Sequence, residues 1–212
     1  GSTGLLGGGN YSGNISNSGT FVFASSNNQT LSGIISGTGA LTMNGASTLT
    51  LSGNNTYNGT TTLSAGTIQI AHANGLGTGG NITFGGGGLQ YGSGITTDIS
   101  SRIKNSTGAV LIDTNSNNVT FASAVDSTNT LGLTKNGSGT LTLNGNNTYT
   151  GDTTINTGTV EIGAAGRLGA GNYTGNIVNT GTFIYSGTSN QTLGGIISGA
   201  GALTKNGSGT LT

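Results

Sequence analysis

The sequence repeats itself at two fixed offsets, and this repetition constrains the fold more than any other feature. Residues 1–50 align without a gap with residues 163–212, at an offset of 162. Residues 41–70 align with residues 133–162, at an offset of 92. Self-similarity of this kind is typical of repeat architectures, whose complete forms end in atypical capping units. Neither end shows such a unit, so we expect residues 1–212 to be one solenoid segment of a longer repeat protein.

A shorter period lies within these copies, and its length of about 20 residues is within the range of known solenoid repeats. Strand-like tetrads begin at residues 20, 40, 60 and 81, and a second series begins at 28, 48, 67 and 88. Side chains alternate within the tetrads with the period of two that is typical of a β-strand. A coil this short leaves no room for a helical crossover between parallel strands. The pattern therefore predicts an all-β fold, a single-stranded parallel β-helix (β-solenoid).

The copies also indicate which side chains point inward. Thr and Leu alternate at 48–51 and again at 140–143, so we expect the Leu side chains in the core and the Thr side chains outside. Asn-Gly occurs at 44–45, 58–59, 136–137, 144–145 and 206–207. Because Gly adopts positive φ freely, these dipeptides predict turns.

Stacked coils would place Asn over Asn, which predicts ladders of side-chain amides. The candidates for such ladders are Asn54, Asn55, Asn146 and Asn147. An alternative that stays open is that these residues are simple solvated turn residues.

Charge is scarce, with 5 basic and 5 acidic residues among 212 and a net charge of zero. This balance excludes the usual electrostatic features of a nucleic-acid binder or a polybasic membrane anchor. No apolar run approaches the roughly 18 residues of a membrane helix, so we expect no membrane insertion of this segment. The single histidine, His72, aligns with Ala164 in the second copy, so the repeat does not need it. We expect no enzyme activity, no catalytic residues, no metal site and no cofactor.

Half of all charged residues fall between positions 96 and 126, a segment that has no second copy and that we expect to be irregular. Two interpretations stay open: a ligand-contact patch, or solvated charges on less regular coils, which we favour. The residues concerned are Asp98, Arg102, Lys104, Asp113 and Asp126.

The stretch 137–163 resembles the autotransporter-associated β-strand repeat, also called the passenger-associated transport repeat. Its spacing, Gly-x-Gly-x-Leu-x-Leu and then Gly-x-Asn-Thr-Tyr-x-Gly-x-Thr, is met by Gly137, Gly139, Leu141, Leu143, Gly145, Asn147, Thr148, Tyr149, Gly151 and Thr153. The earlier copy at 45–71 has Ser47 in place of the second glycine. The resemblance implies a right-handed β-helix passenger on the surface of a Gram-negative-type bacterium, anchored in the outer membrane by a domain outside this segment.

These observations favour a structural or adhesive stalk or fibre segment of a secreted or cell-surface bacterial protein. Its expected partners are neighbouring repeats or copies of itself stacked end to end, with surface receptors or glycans as further candidates and no nucleic acid. Two alternatives stay open. One is a subunit of a secreted filament or biofilm matrix, in which separate chains stack as in amyloid. The other is a recognition solenoid that binds ice or glycans through rows of outward threonines.

Overall fold

The computed structural model describes residues 3–212, which form an all-β structure. The chain divides into two compact units, Gly1–Ile95 and Thr96–Thr212. The first unit has one short 3-10 helix, η1 (Gly7–Gly9), and eleven strands. These strands are β1 (Asn10–Tyr11), β2 (Ile15–Ser16), β3 (Thr20–Phe23), β4 (Gln29–Leu31), β5 (Ile35–Ser36), β6 (Ala40–Met43), β7 (Thr48–Leu51), β8 (Thr61–Leu63), β9 (Thr67–Ile70), β10 (Ile82–Phe84) and β11 (Gly88–Tyr91).

The second unit has two short 3-10 helices, η2 (Ser100–Arg102) and η3 (Gly169–Gly171), and fourteen strands. These strands are β12 (Val110–Asp113), β13 (Val119–Phe121), β14 (Leu133–Asn136), β15 (Thr140–Leu143), β16 (Asn146–Asn147), β17 (Thr153–Ile155), β18 (Thr159–Ile162), β19 (Arg167–Leu168), β20 (Asn172–Tyr173), β21 (Ile177–Asn179), β22 (Thr182–Tyr185), β23 (Thr192–Leu193), β24 (Ile197–Ser198) and β25 (Ala202–Lys205). No helix in the described part of the chain has the length and apolarity needed to cross a membrane.

Within the first unit, every strand pairs in parallel with its equivalent one coil away. One sheet has the order β1-β4-β7-β9-β11, a second has β3-β6-β8-β10, and β2 pairs with β5. Asn10 lies beside Thr30, and Thr30 lies beside Thr50, so two successive coils have the same length here. The chain therefore winds continuously, as the sequence period predicts.

The second unit follows the same plan with less uniform coils. Its sheets have the orders β12-β14-β17-β21-β24 and β13-β15-β18-β22-β25, and β16 pairs with β19 and β20 with β23, all in parallel. Leu133 lies beside Thr153, whereas Val110 lies beside Leu133, so the coil that begins at Val110 is slightly longer than the next one. The predicted parallel β-solenoid, with coils of the length that the sequence period indicates, is confirmed.

The core consists of the inward side chains of these strands. Leu49 and Leu51 of β7, and Leu141 and Leu143 of β15, are 0% exposed, while the threonines between them are half-buried. Each such leucine contributes roughly 1.5–3 kcal/mol by burial. The predicted inward and outward phases of these strands are confirmed.

Most glycines of these Asn-Gly dipeptides are required by close packing between coils, and not by the positive φ that was expected. Among the glycines at 45, 59, 137, 145 and 207, all within residues 3–212, Gly137 alone has a positive φ, +81°. At Gly45 and Gly207 a Cβ atom would overlap the carbonyl oxygens of Ser25 and Gly187 in the preceding coil, and Gly59 and Gly145 have equally close backbone neighbours. The expected positive φ is therefore wrong at these four positions. Glycine is needed there because neighbouring coils approach too closely for a side chain.

Candidate functional site

The charged segment contains one ion pair between neighbouring coils. The ammonium group of Lys104 contacts the carboxylate of Asp126, and each side chain is about one-third exposed, 31% and 30%. Burial alone would raise the pKa of Asp126, but hydrogen bonds from Lys104 and Thr128 outweigh it, so this pKa lies below its usual value. A partly exposed pair of this kind contributes little to stability.

Two other carboxylates of this segment accept hydrogen bonds from backbone amides. Asp98 accepts from the N–H of Ser100 at 2.8 Å and from the N–H of Ala122, one coil later, at 3.0 Å. Asp113 accepts from the N–H of Asn115 at 2.7 Å, and Arg102 lies in η2. The bonds from Ser100 and Asn115 stabilise local turns, and the bond from Ala122 joins neighbouring coils. The ligand-contact interpretation of this segment stays a prediction. No group of three or more His, Asp or Glu side chains in residues 3–212 is arranged to hold a metal ion.

The buried asparagine of the repeat motif joins three successive coils. Asn147 is 0% exposed. Its Oδ1 accepts from the N–H of Val125 at 2.9 Å, and its Nδ2 donates to the carbonyl oxygens of Gly145 at 2.7 Å and Arg167 at 3.2 Å. One amide thus satisfies backbone groups in the preceding coil, its own coil and the following coil.

The earlier copy of the motif repeats this bridge. Asn55 is also 0% exposed. Its Oδ1 accepts from the N–H of Ile35 at 2.8 Å, and its Nδ2 donates to the carbonyl oxygen of Gly75 at 2.7 Å. The two copies of the motif, at separate places in the sequence, therefore make the same contact.

The predicted amide ladder forms at the exposed neighbour of this bridge. Asn54 accepts from Asn74 Nδ2 at 2.9 Å, one coil later. The buried Asn55 and Asn147 bond to backbone groups instead, and Asn146 is exposed. The ladder prediction is thus confirmed for Asn54 and wrong for the two buried residues, because a buried amide must satisfy backbone groups that lie out of reach of water.

The tyrosine and threonine of the motif form a buried hydroxyl chain. Tyr149 and Thr153 lie 2.7 Å apart between hydroxyl oxygens, and Thr153 and Tyr173 lie 2.8 Å apart. Tyr173 donates to the carbonyl oxygen of Gly151. Because each hydroxyl has one proton, the donors run from Tyr149 to Thr153, then to Tyr173 and then to the backbone. Burial raises the pKa of Tyr149 well above its usual value and that of Tyr173 to about 12.

The first copy has the same Tyr-Thr pair. The hydroxyl oxygens of Tyr57 and Thr61 lie 2.8 Å apart, and both residues are 0% exposed. The Tyr-x-Gly-x-Thr spacing of the motif therefore places a threonine where it can satisfy a buried tyrosine. The Tyr57–Thr61 and Tyr149–Thr153 pairs lie within one coil, and the contacts of Tyr173 with Thr153 and Gly151 join neighbouring coils.

Sequence reasoning missed one unusual residue, the buried Lys135 of β14. It is 0% exposed, and its Nζ donates to the carbonyl oxygens of Asn136 at 2.8 Å, Gly137 at 2.6 Å and Thr157 at 3.3 Å. Burial lowers the pKa of Lys135 to about 8, although the nearby Asp113 carboxylate acts in the opposite direction. Two features of the sequence could have predicted that Lys135 is buried. It occupies an inward position of its strand, and its counterpart in the first copy is Met43, which is also 0% exposed.

Replacing Lys135 by Met should stabilise the second unit by about 1–3 kcal/mol at pH 7, because burial of the charge costs more than the loss of hydrogen bonds to three partly buried carbonyl oxygens. Met43 shows that this residue packs at the equivalent position of the first copy. The unfolded chain, with a lysine pKa of 10.5, binds more protons than the folded chain between about pH 8 and 10.5. The free energy of unfolding of the original chain should therefore rise with pH from about 8 to 9. Closer to pH 10, ionisation of tyrosines in the unfolded chain opposes this rise in both the original chain and the Met variant.

Urea denaturation of the original chain and of Lys135→Met at pH 7, 8, 9 and 10 measures this difference. The Met variant should lack this rise in the free energy of unfolding. The difference in the free energy of unfolding between the two chains should therefore decrease as the pH increases. A gap that stays constant over this range would mean that Lys135 is not responsible for the pH dependence.

Comparison with known proteins places this geometry in a family context. The family model of the passenger-associated-transport-repeat matches residues 41–70 and 133–162. The chain is 39% identical over 141 residues to the adhesin BmaC autotransporter of Brucella suis biovar 1 (strain 1330). This alignment covers 62% of the chain but 4% of the relative. No solved structure gives a significant match. The bridging asparagines and buried Tyr-Thr pairs lie in the two matched segments, and the chain therefore carries two segments that match the passenger-associated-transport-repeat.

Proposed function

We propose that this chain is a structural stalk segment of an autotransporter-like passenger, secreted or displayed on a bacterial surface, with no catalytic role. The observation that carries the proposal is the use of the motif's polar side chains. Asn55 and Asn147 join successive coils, and Tyr149 and Thr153 satisfy one another inside the structure. The residues that distinguish this repeat thus stabilise the stack of coils, as a stalk under tension requires.

The outward face supports a structural role over recognition of ice or glycans. Thr50 Oγ1 donates to Gln69 Oε1 at 3.2 Å, and Gln69 Nε2 donates to Gln90 Oε1 at 2.6 Å. This row of outward side chains bonds to itself along the stacking direction, which leaves fewer donors for a ligand. Neutral polar groups of this kind also provide solubility without charge.

The similarity to an adhesin supports surface display and adhesion of the whole protein. Because the aligned part is a small fraction of that relative, we propose that this chain contributes reach and stiffness. Contact with a receptor or glycan would then be made by other parts of the protein.

Single-molecule force spectroscopy on the full chain, held between two protein handles, tests the stalk proposal. We expect discrete force peaks, with a gain of roughly 70 Å in contour length for each coil that unfolds. Asn147→Ala should lower the forces of the peaks from the second unit, and replacement of the half-buried Thr142 by Ala should not. Extension of the original chain without force peaks would refute the stalk proposal.

A further inference from the structure

The longest stretch without a strand in residues 3–212 lies at 92–109. It begins after β11 ends at Tyr91, it ends before β12 starts at Val110, and it contains the short helix η2. Ladders of backbone hydrogen bonds join the strands of the regular coils. A segment without such a ladder has fewer of these bonds to break, so it opens locally at a lower cost in free energy.

Side chains replace the ladder between this segment and the following coil. Asp98 Oδ2 accepts from the N–H of Ala122 at 3.0 Å, and Ser100 Oγ accepts from the N–H of Ser123 at 3.0 Å. Each of these bonds depends on one side chain, whereas a strand pair depends on the backbone. The attachment of this segment can therefore be weakened by a single substitution.

A second attachment of the segment is centred on Asp126. Its carboxylate pairs with the ammonium group of Lys104 and accepts from Thr128 Oγ1 at 2.6 Å. Thr128 Oγ1 in turn accepts from the N–H of Asn105 at 2.9 Å. Asp126 thus holds the residues on both sides of the peptide bond between Lys104 and Asn105.

The same segment carries two of the five basic residues of the chain, Arg102 and Lys104, and both are half-buried. The other three lie in strands: Lys135 in β14, Arg167 in β19 and Lys205 in β25. A protease must bind several residues around the scissile bond in an extended form, and a paired strand supplies them only when its ladder breaks. The strand-free segment therefore offers basic residues at the place where the chain opens most easily.

We propose that the segment 98–106 is a cleavage site for a protease that cuts after basic residues, with Arg102 and Lys104 as the recognised side chains. In this reaction water adds to the carbonyl carbon of one of these residues, and the peptide C–N bond breaks. The oxygen of water enters the new carboxylate, and the leaving nitrogen takes a proton to become the new amine. The cut falls close to the division between the units Gly1–Ile95 and Thr96–Thr212, so each product keeps most of one unit.

The pair of Lys104 and Asp126 controls the rate of this cleavage. Ile103 is 0% exposed, so the segment must open before a protease can bind it. Trypsin binds a basic side chain in a pocket that has its own aspartate, so Lys104 must first leave Asp126. When opening is fast relative to cleavage, the rate follows the population of the open state. This inference is independent of the stalk proposal, because it concerns only local opening of the folded chain.

Limited digestion of the full chain with trypsin, followed over time by gel electrophoresis and intact mass, tests the proposal. We expect the first cut within residues 3–190 to fall after Arg102 or Lys104. Cuts after Lys135 and Arg167 should be at least roughly tenfold slower, because strand pairs must break first. A first cut after Lys135 or Arg167 would overturn the proposal. So would a folded chain that stays uncut after Arg102 and Lys104 while the urea-unfolded chain is cut there.

A lysine placed in a regular coil separates the effect of local structure from the effect of charge. Thr142→Lys puts a basic side chain at a half-buried outward position of β15, which pairs with a strand on each side. We expect cleavage after position 142 to be at least roughly tenfold slower than cleavage after Lys104 in the same chain. Equal rates at the two positions, with the circular dichroism spectrum of the original chain retained, would contradict the proposal.

Two aspartate variants test the control of cleavage by Asp126. Asp126→Asn removes the charge that holds Lys104, so cleavage after Lys104 should become at least roughly threefold faster. Asp152→Asn is the matched control. Asp152 also accepts from a backbone N–H of the next coil, that of Asn176 at 2.8 Å, but it lies outside the segment, so this rate should not change. Equal rates of cleavage after Lys104 in the two variants would show that Asp126 does not control the opening.

Discussion

Replacing Asn147 by Ala should lower the free energy of unfolding of the second unit by roughly 3–6 kcal/mol. The amide of Asn147 satisfies the N–H of Val125 and the carbonyl oxygens of Gly145 and Arg167. Without this amide, the N–H of Val125 and the carbonyl oxygen of Arg167 lose this partner, and each unsatisfied group costs about 1–3 kcal/mol. The carbonyl oxygen of Gly145 loses one hydrogen bond but still accepts from the N–H of Arg167. Urea denaturation, followed by circular dichroism in the β-sheet region, measures the change.

The neighbouring residue provides the matched control for this prediction. Asn146 is exposed and precedes Asn147 in β16, so Asn146→Ala should cost well under about 1 kcal/mol. Asn55→Ala and Asn54→Ala form the corresponding pair in the first unit. Similar losses for the buried and exposed members of a pair would show that the bridge between coils does not stabilise the fold.

Replacing Leu141 by Ala should destabilise the second unit by about 2–5 kcal/mol. Leu141 is 0% exposed and lies beside Val119 in one neighbouring coil and Val160 in the other. The substitution removes apolar contacts and leaves a cavity that two hydrogen-bonded strands prevent from collapsing. The midpoint of urea denaturation should fall, with little change in the slope of the transition.

The adjacent threonine tests whether the effect depends on the side of the strand. Thr142 is half-buried and makes a long 3.4 Å hydrogen bond to Glu161 Oε2, so Thr142→Ala should cost less than about 1 kcal/mol. Equal costs at Leu141 and Thr142 would mean that the assigned inward and outward phases are wrong.

The candidate site was less predictable than the fold. The motif spacing identified Asn147, Tyr149 and Thr153 as distinctive residues, but not the groups that they contact. The segment 96–126 was recognised by its charge alone, and the structure pairs Lys104 with Asp126 there. Such contacts join residues a full coil apart in the sequence, so they depend on coil length and on the shape of each turn.

The sequence by itself determined the period of the coils, the parallel stacking and the inward phase of strands such as Thr140–Leu143. These features follow from the alternation of apolar and polar residues within each strand and from the repetition of that pattern along the chain. Both can be read from the sequence, and the internal copies agree with one another. Only the tertiary structure decided that the Ser25 carbonyl oxygen leaves no room for a side chain at position 45. It also decided that Asn147 bonds to backbone groups and that Lys135 is buried. The physical reason is that each of these residues is defined by what the neighbouring coil places against it.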